Sequence, residues 1–356
     1  MEIGGRSIEI AGLDRASMEK ARERQKNLTK PSGSLGLLEA ISIRICGMRG
    51  EVPSTLGDKV VILCAADHGV VEEGVSAYPQ EVTGQMLLNF SSGKAAINVL
   101  ARHVGAMVVL VDVGTLADVE HPLVITKKVR KGTANLTAGP AMSRTEAEKA
   151  IAVGIEVAEQ EIAKGAGIMA TGDMGIGNTT ASSALVSALT GIPVRQVVGR
   201  GTGIDDDRLE KKVDVIERAL ALNRPSMEDP IGVLAKVGGL EIGALAGVML
   251  AGAMRRVPVV VDGFISGAAA LLAVRIHPGV KEYLFPSHLS EEPGHLIVLE
   301  NLGLKPLIDL GMRLGEGTGA VLAMPIIEAA VKILSEMATF EEADVSRKSE
   351  KSKVEK

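Results

Sequence analysis

The sequence predicts an α/β fold, with a doubly wound, mainly parallel six-stranded sheet of Rossmann-like topology. Two observations lead to this prediction. Continuous apolar runs rich in Val and Ile recur along the chain, and such runs are typical of strands that are buried on both faces. Segments with the period of helices separate these runs, and alternating strands and helices form parallel sheets with helices on both faces.

The strand assignments follow the apolar runs in chain order. Residues 59–66 read Lys-Val-Val-Ile-Leu-Cys-Ala-Ala, which is the pattern of a buried strand. Residues 124–134 alternate polar and apolar side chains and remain ambiguous. The six predicted strands are 59–66, 106–113, 167–171, 194–198, 257–262 and 295–299.

Helical periodicity and capping residues define the predicted helices. Asp14 is the expected N-cap of the first helix and Ser34 that of the second, while Ser143 and Glu146 form a capping box. The predicted helices are 14–27, 35–48, 79–102 with a break at 91–93, 143–164, 206–222, 239–254, 264–274 and 320–337.

The composition narrows the class of protein. The 356 residues suit two domains or one large domain, and 46% of them are apolar, which is ample for a core. Aromatic residues make up only 2%, so the core must be aliphatic, and 41 glycines allow close backbone packing. The net charge of −5 and the scarcity of stacking residues argue against nucleic-acid binding.

The sequence also indicates where the protein works. It has no secretory signal pattern at its N-terminus, and the longest uncharged apolar stretch, 242–254, is too short to span a bilayer. We therefore expect a soluble, cytoplasmic protein with no membrane contact. Cys64 lies in a strand-like run and is expected to be a small core residue. Residues 341–356 are densely charged, which predicts a disordered tail.

Ligands of parallel sheets bind beyond the carboxyl ends of the strands. The residues that follow predicted strands here are Asp67, Asp112, the pair Gly172-Asp173 and the pair Asp262-Gly263. We expect them along one rim of the sheet, which makes that rim the candidate site.

The first glycine-rich loop, residues 172–180, reads Gly-Asp-Met-Gly-Ile-Gly-Asn-Thr-Thr between a strand and a helix. Free amides at a helix start, with the hydroxyls of Thr179 and Thr180, suit a phosphate. The loop is neither a P-loop nor a dinucleotide fingerprint, since the Gly-Lys-Ser/Thr ending and the third glycine are missing. A tight turn between strand and helix explains the same residues equally well.

The second loop begins with Gly199-Arg-Gly-Thr-Gly203, whose alternating glycines again expose amide donors. Lys212, farther along, could add positive charge to an anion site. Asp205 and Asp206 could suggest a metal, but we favour capping of the helix that follows. The six histidines are scattered, and no pair has the spacing of zinc ligands.

The third loop, Arg313-Leu-Gly-Glu-Gly-Thr-Gly319, places Glu316 between two glycines in front of an apolar helix. Three glycines in five residues are poor interior for a helix or strand, so they predict a tight loop that approaches something flat or small. Glu316 is then expected to point into a cleft. The alternative is a helix-entry turn with Glu316 near the positive end of the helix dipole.

Eight blocks of sequence together resemble nicotinate-nucleotide–dimethylbenzimidazole phosphoribosyltransferases. They occur in the order expected for that family, between about residue 30 and residue 343. One departure is Asp173, where the family often has Glu, so the carboxylate reaches one methylene less far. The blocks are 65–70, 74–79, 81–86, 172–180, 201–205, 262–264, 287–288 with 292–295, and 313–319.

The resemblance implies a fold and a reaction. The fold is a large α/β domain with a small helical domain from both chain ends, assembled as a homodimer. The boundaries would be 1–55 and 301–340 for the segments of the small domain, 56–300 for the large domain and 341–356 for the tail. The reaction would move 5-phosphoribosyl from nicotinate mononucleotide to 5,6-dimethylbenzimidazole, without cofactor or metal. We also expect the dimer to cover part of the apolar stretches 242–254 and 264–274.

The same resemblance implies residue roles. Glu316 would be the general base. Lys212 would be the counter-charge of the phosphate on the two glycine loops, and Asp173 and Asp262 would hold ribose hydroxyls or stabilise positive charge. The residues expected to bind substrate are Ser76, Tyr78, Gln85, Met86, Asp173, Gly175, Gly177, Asn178, Thr179, Thr180, Gly201, Thr202, Gly203, Lys212, Asp262, Gly263, Ser290 and Leu314.

Two other classes of protein stay open. A nucleotide-dependent oxidoreductase could use a similar sheet, although the missing dinucleotide fingerprint argues against it. A non-catalytic homologue could bind nucleotides or azoles as a sensor, and only turnover distinguishes it.

Overall fold

A computed structural model describes residues 2–201 and 203–346. The predicted phosphate contact Thr202, and residues 347–356 of the predicted disordered tail, lie outside the described residues.

Strands and helices alternate through most of the chain. The strands are β1 Glu2–Ile3, β2 Arg6–Ser7, β3 Asp58–Ala66, β4 Ala106–Gly114, β5 Val124–Thr126, β6 Ala166–Met174, β7 Val259–Val261, β8 Leu284–Pro286, β9 His288–Ser290 and β10 Ile308–Met312. The α-helices are α1 Arg15–Asn27, α2 Leu37–Arg49, α3 Val82–Ser91, α4 Ala96–Val104, α5 Arg144–Ala163, α6 Asn178–Thr190, α7 Val194–Val197, α8 Asp206–Asn223, α9 Pro230–Val237, α10 Leu240–Met254, α11 Phe264–Ile276, α12 Pro293–Leu302 and α13 Thr318–Glu336.

The main sheet has six strands in the order β5-β4-β3-β6-β7-β8, and all the neighbouring pairs are parallel. The predicted doubly wound α/β fold with a six-stranded sheet is thereby confirmed. The chain runs outwards from β3 in one direction and then returns to β6 on its other side. This reversal opens a crevice at the carboxyl ends of β3 and β6.

Two of the predicted strands are wrong, although their number is right. Residues 194–198 contain the short helix α7, which follows Pro193. Residues 295–299 lie in α12, which starts with Pro293, a residue preorganised for the first helical turn. The sheet instead contains β5, from the ambiguous segment, and β8, a three-residue strand that is too short for periodicity to reveal.

The capping predictions have mixed outcomes. Asp14 accepts a hydrogen bond from the Ser17 amide at 2.7 Å, and Ser143 closes a capping box with Glu146. Ser34 does not cap α2, whose N-cap is Gly36. The chain reaches α2 through a turn that includes Gly36 with a φ of 50°, which favours glycine at that position.

The core is aliphatic, as predicted, and α10 lies at its centre. Residues Leu240 to Ala253 of this helix are all buried, as is most of α11. The two apolar stretches that were expected to be partly covered in a dimer are therefore already covered within one chain. Cys46 and Cys64 are both buried and free.

Glycine lets α5 and α10 approach to backbone contact. A Cβ at Gly154 would overlap the carbonyl oxygen of Ala244, and a Cβ at Gly247 would overlap that of Ile151. This close approach is the packing that the high glycine content predicted.

The described chain divides into two compact units. The larger consists of Met1–Gly12 and Gly57–Pro325, and the smaller of Leu13–Leu56 and Ile326–Lys356. In the smaller unit Leu28 pairs with Thr339, and Ala21, Cys46 and Leu334 pack together. The domain boundaries predicted from the sequence stay a prediction.

One described helix, α13, is long and apolar enough to cross a membrane by length and composition alone. More than half of its apolar window is buried in the protein. This helix is longer than the stretch 242–254 that the sequence analysis considered.

The contact between α5 and α10 makes a prediction about stability. Gly247→Ala should lower the free energy of unfolding by about 1–3 kcal/mol, because its Cβ meets backbone that cannot move aside. Chemical denaturation would measure the change. Gly12→Ala is the control, since a Cβ there would have no atom within 4 Å. Equal stability of both variants and the parent would contradict this account of the packing.

Candidate active site

The loop between β10 and α13 holds Glu316 in a left-handed backbone conformation. Its φ is 62°, between Gly315 at 82° and Gly317 at 88°. This conformation costs a residue with a side chain about 1–2 kcal/mol, and such strain is concentrated at functional sites. The structure confirms the predicted tight loop in front of a helix.

This loop packs against the two central strands, β3 and β6. A Cβ at Gly172 in β6 would come within 2.6 Å of the Glu316 carbonyl oxygen. A Cβ at Gly317 would come within 2.9 Å of Val61 in β3. The loop therefore packs against the central strands at Gly317.

Asp262, the residue after β7, anchors the loop. Its carboxylate accepts hydrogen bonds from the amides of Gly317 at 3.1 Å and Ala320 at 2.9 Å. Burial raises the pKa of Asp262, while nearby His288 and the backbone amides act in the opposite direction. Both oxygens thus accept from the protein, and Asp262 is not among the residues that line the cavity described below.

The Glu316 carboxylate is buried, with 6% of the residue exposed. Its Oε2 lies 3.4 Å from the amide of Ile97, in the first turn of α4. Burial raises the pKa of Glu316 and outweighs the Ile97 amide, and the negative charge of Asp262 adds to the increase. A carboxylate with a raised pKa is a stronger base than an ordinary glutamate.

A cavity of about 270 Å³ opens beside this loop. Its lining includes polar residues of the glycine loops and the apolar side chains of Phe264, Ile265 and Leu314. The predicted residues that line it are Tyr78, Asp173, Asn178, Thr179, Gly201, Gly263, Ser290 and Leu314. The further lining residues are Phe264, Ile265, His288, Glu292, Arg313 and Gly315.

Asp173 stands at the carboxyl end of β6 and is buried in the cavity wall. Asn178 donates a hydrogen bond to its Oδ2 at 2.9 Å. Burial raises the pKa of Asp173 well above its ordinary value, and the negative charges of Asp262 and Glu241 raise it further. The two carboxylates, Asp173 and Asp262, thus disfavour each other's ionisation.

The loop 172–180 leads into α6 and also packs closely against the backbone at the end of β3. A Cβ at Gly175 would lie 2.5 Å from the Ala66 carbonyl oxygen and 3.3 Å from the ring of His68. His68 is itself buried and forms a 2.6 Å contact with Glu241. Gly177, with a φ of 92°, is the N-cap of α6. The structure thus shows the tight turn, and the amides of Ile176, Asn178 and Thr180 already donate to Thr83 Oγ1, Gly175 O and Gly177 O.

Lys212 lies behind the cavity wall. It is 1% exposed, and its Nζ donates to Thr179 Oγ1 at 2.9 Å and to the Gly199 carbonyl at 3.1 Å. Burial lowers its pKa to about 8, despite the negative charge of Glu292. Lys212 therefore reaches the cavity through Thr179 and the second glycine loop.

Glu292 and Arg313 hold that second loop from the cavity side. Glu292 Oε1 accepts from the Gly201 amide at 2.8 Å, and Arg313 Nη1 donates to the Gly201 carbonyl at 2.8 Å. Neither residue was among the predicted binding residues, although both lie in blocks that carried the resemblance. Asp205 caps α8, because its Oδ1 accepts from the Arg208 amide. This is the capping role that the sequence analysis favoured over metal binding.

Several predicted residues do not line this cavity. Gln85 lines a second, larger hollow of about 740 Å³ with Leu88 and Leu116. Ser76 Oγ accepts from the Tyr78 amide at 3.2 Å. The other predicted residues outside the lining are Met86, Gly175, Gly177, Thr180, Gly203, Lys212, Asp262 and Glu316. Glu316 directly follows the lining residues Leu314 and Gly315.

The arrangement suits a phosphorylated sugar. Glycine-loop amides and a helix N-terminus favour an anion, while buried carboxylates accept hydroxyl hydrogens and favour developing positive charge. Within residues 2–201 and 203–346, no group of three or more His, Cys, Asp or Glu side chains could hold a metal ion.

Comparisons with known proteins agree with this chemistry. A family described as phosphoribosyltransferase matches residues 10–345. Nicotinate-nucleotide–dimethylbenzimidazole phosphoribosyltransferase from Desulforudis audaxviator is 59% identical over 349 residues, which cover 98% of this chain and 99% of the relative. The enzyme of the same name from Roseiflexus sp. strain RS-1 is 59% identical over 96% of this chain and 97% of its own.

A solved structure is also similar. The crystal structure of a nicotinate-nucleotide–dimethylbenzimidazole phosphoribosyltransferase from Thermus thermophilus has a TM-score of 0.89 and 51% sequence identity. The alignment covers 94% of this chain and 100% of that structure.

Proposed function

The chain belongs to the nicotinate-nucleotide–dimethylbenzimidazole phosphoribosyltransferase family, and we propose that it performs this reaction with Glu316 as general base. The enzyme transfers 5-phosphoribosyl from nicotinate mononucleotide to 5,6-dimethylbenzimidazole. The products are α-ribazole 5′-phosphate, the nucleotide of the cobalamin lower ligand, and nicotinate. The identity of 59% over 98% of the chain is the observation that carries the activity.

The chemistry requires one base. The C1′–N bond to nicotinate breaks and its electron pair returns to the pyridinium ring, so the leaving group needs no proton. The benzimidazole is neutral, and its second nitrogen must lose a proton as the new N–C1′ bond forms. Attack from the face opposite nicotinate inverts C1′ and gives the α-linkage. A single carboxylate is sufficient to accept the proton.

Three features support Glu316 in that role. Its strained backbone places it next to Leu314 and Gly315, which line the cavity. Its burial raises the pKa, which strengthens it as a base. Gly315, which lines the cavity, has no side chain to fill the space on that side of Glu316.

The remaining contacts follow from the cavity walls. We assign the phosphate to the loops 172–180 and 199–203, where amides, Thr179 and the charge of Lys212 meet. We assign the ribose hydroxyls to Asp173. Asp262 acts by positioning, because its two oxygens hold the Glu316 loop. Ser76, Gln85 and Met86 remain proposed contacts of the base, and a cytoplasmic homodimer remains the proposed assembly.

Incubation of the purified chain with both substrates tests the activity and the base together. The parent should release nicotinate, which chromatography measures. Glu316→Gln should lower the turnover number by about two to four orders of magnitude. Binding of the azole should weaken little, since the glutamine oxygen can still accept its N–H. Glu300→Gln, an exposed position on α12, is the matched control.

The alternative roles predict different results. If Glu316 only favours a helix N-terminus, Glu316→Gln would keep full turnover per folded molecule. Its stability would fall by roughly 0.3–1 kcal/mol. Absence of nicotinate release by the parent would favour a non-catalytic binding protein.

The buried lysine predicts a pH dependence. Because the pKa of Lys212 is lowered to about 8, its charge is present below that pH and is lost as the pH rises through it. The Michaelis constant for nicotinate mononucleotide should therefore rise roughly three- to tenfold between about pH 7 and about pH 9. The constant for dimethylbenzimidazole should stay level over the same range.

Lys212→Met tests the assignment, since methionine keeps the bulk and removes the charge. The Michaelis constant of this variant for nicotinate mononucleotide should be raised already at about pH 7 and should not rise further as the pH increases. An unchanged pH profile in the variant, or equal losses for both substrates, would exclude Lys212 from phosphate binding.

A further inference from the structure

Arg313 stands at the edge of the cavity, directly after β10. Its side chain lines the cavity and remains exposed to solvent. One of its nitrogens, Nη1, donates to the Gly201 carbonyl at 2.8 Å. A guanidinium carries five N–H donors in a planar fork, so this bond leaves donors for a ligand.

Arg313 is the one Lys or Arg among the described residues that line the cavity. Lys212 is buried behind the wall, and its Nζ already donates to Thr179 and to the Gly199 carbonyl. His288 lines the cavity, but its Nδ1 faces Ser287 at 3.0 Å and Asp262 at 3.8 Å. A dianionic ligand in the cavity would therefore meet a full positive charge directly at Arg313.

The second glycine loop gives a further reason. Its Gly201 amide, which could bind a phosphate oxygen, already donates to the buried carboxylate of Glu292 at 2.8 Å. A carboxylate so close to the loop disfavours a second anion, so a phosphate there needs a cation in contact. Arg313 holds the carbonyl side of the same Gly201 residue.

We propose that Arg313 binds the phosphate of the donor nucleotide directly and is the residue that distinguishes a nucleotide from a nucleoside. Guanidinium and phosphate pair through two parallel hydrogen bonds, which are stronger than neutral ones. Arg313 also lies three residues before Glu316, so a phosphate held by it fixes one end of the loop that carries the base. This proposal rests on the proposed function and identifies Arg313 as the residue that recognises the phosphate of nicotinate mononucleotide.

A comparison of two ribosyl-donor substrates, one with a phosphate and one without, distinguishes this role of Arg313 from a general effect of charge. For the parent, kcat/KM should be much higher with nicotinate mononucleotide than with nicotinate riboside, which lacks the phosphate. Arg313→Gln should reduce that preference roughly ten- to hundredfold, mainly through nicotinate mononucleotide. Arg313→Lys, which keeps the charge but not the fork, should retain part of it. Arg195→Gln, which removes an exposed arginine paired with Glu210, should keep the full preference.

Calorimetry with inorganic phosphate supplies a test that does not depend on turnover. The parent should bind phosphate more tightly than Arg313→Gln by a similar factor, and thermal unfolding should show that the variant is folded. An unchanged preference and unchanged phosphate affinity in folded Arg313→Gln would overturn the proposal while leaving the proposed activity intact. Absence of all turnover in the parent would instead count against the proposed function.

Discussion

Two hydrogen bonds to the carboxylate of Asp262 fix the position of the loop that carries Glu316. Asp262 directly follows β7, a buried strand, and its oxygens accept from the amides of Gly317 and Ala320. Hydrogen bonds to a charged group contribute roughly 1.5–3 kcal/mol, and the negative charge also stabilises the N-terminus of α13. Through them the rigid sheet holds Glu316 in a backbone conformation that it would not adopt alone.

The glycines make this arrangement possible, and the carboxylates give it its electrostatic character. Gly172 lets the loop backbone lie directly on β6, and Gly317 lets it pack against the Val61 side chain of β3. Asp173, Asp262 and Glu316 are then buried close together, and burial raises the pKa of each. A cationic substrate relieves this accumulation of negative charge, which suits a pyridinium nucleotide and a sugar that becomes positive at C1′.

The fold was predictable because its signals are local. Buried parallel strands such as β3, β4 and β6 are long apolar runs, and tertiary packing did not override them. The failures have different causes. The α12 segment is apolar and buried on one face, so it resembles a strand in composition, whereas β8 is too short to show periodicity. Length and the proline at its start separate α12 from a strand only when weighed together.

The site was predictable to a lesser extent. The glycine loops and Glu316 stand out by composition, and eight predicted residues, among them Tyr78, line the cavity. The pairing of Glu292 and Arg313 with Gly201 joins residues about one hundred positions apart, which no local pattern reveals. The position of Lys212 behind Thr179 was likewise not predictable. A sequence shows that a lysine follows a loop, but it does not show which atoms that lysine faces.

Asp262 is proposed to affect turnover only through Glu316, and a double-mutant cycle on turnover tests this dependence. Asp262→Asn keeps one acceptor and loses the other, so a displaced loop should reduce turnover by roughly tenfold or more. If Asp262 only positions Glu316, Asp262→Asn combined with Glu316→Gln should turn over no more slowly than Glu316→Gln alone, within about threefold. A double variant whose loss equals the product of the two single losses would contradict the account and would give Asp262 its own contact with the substrate.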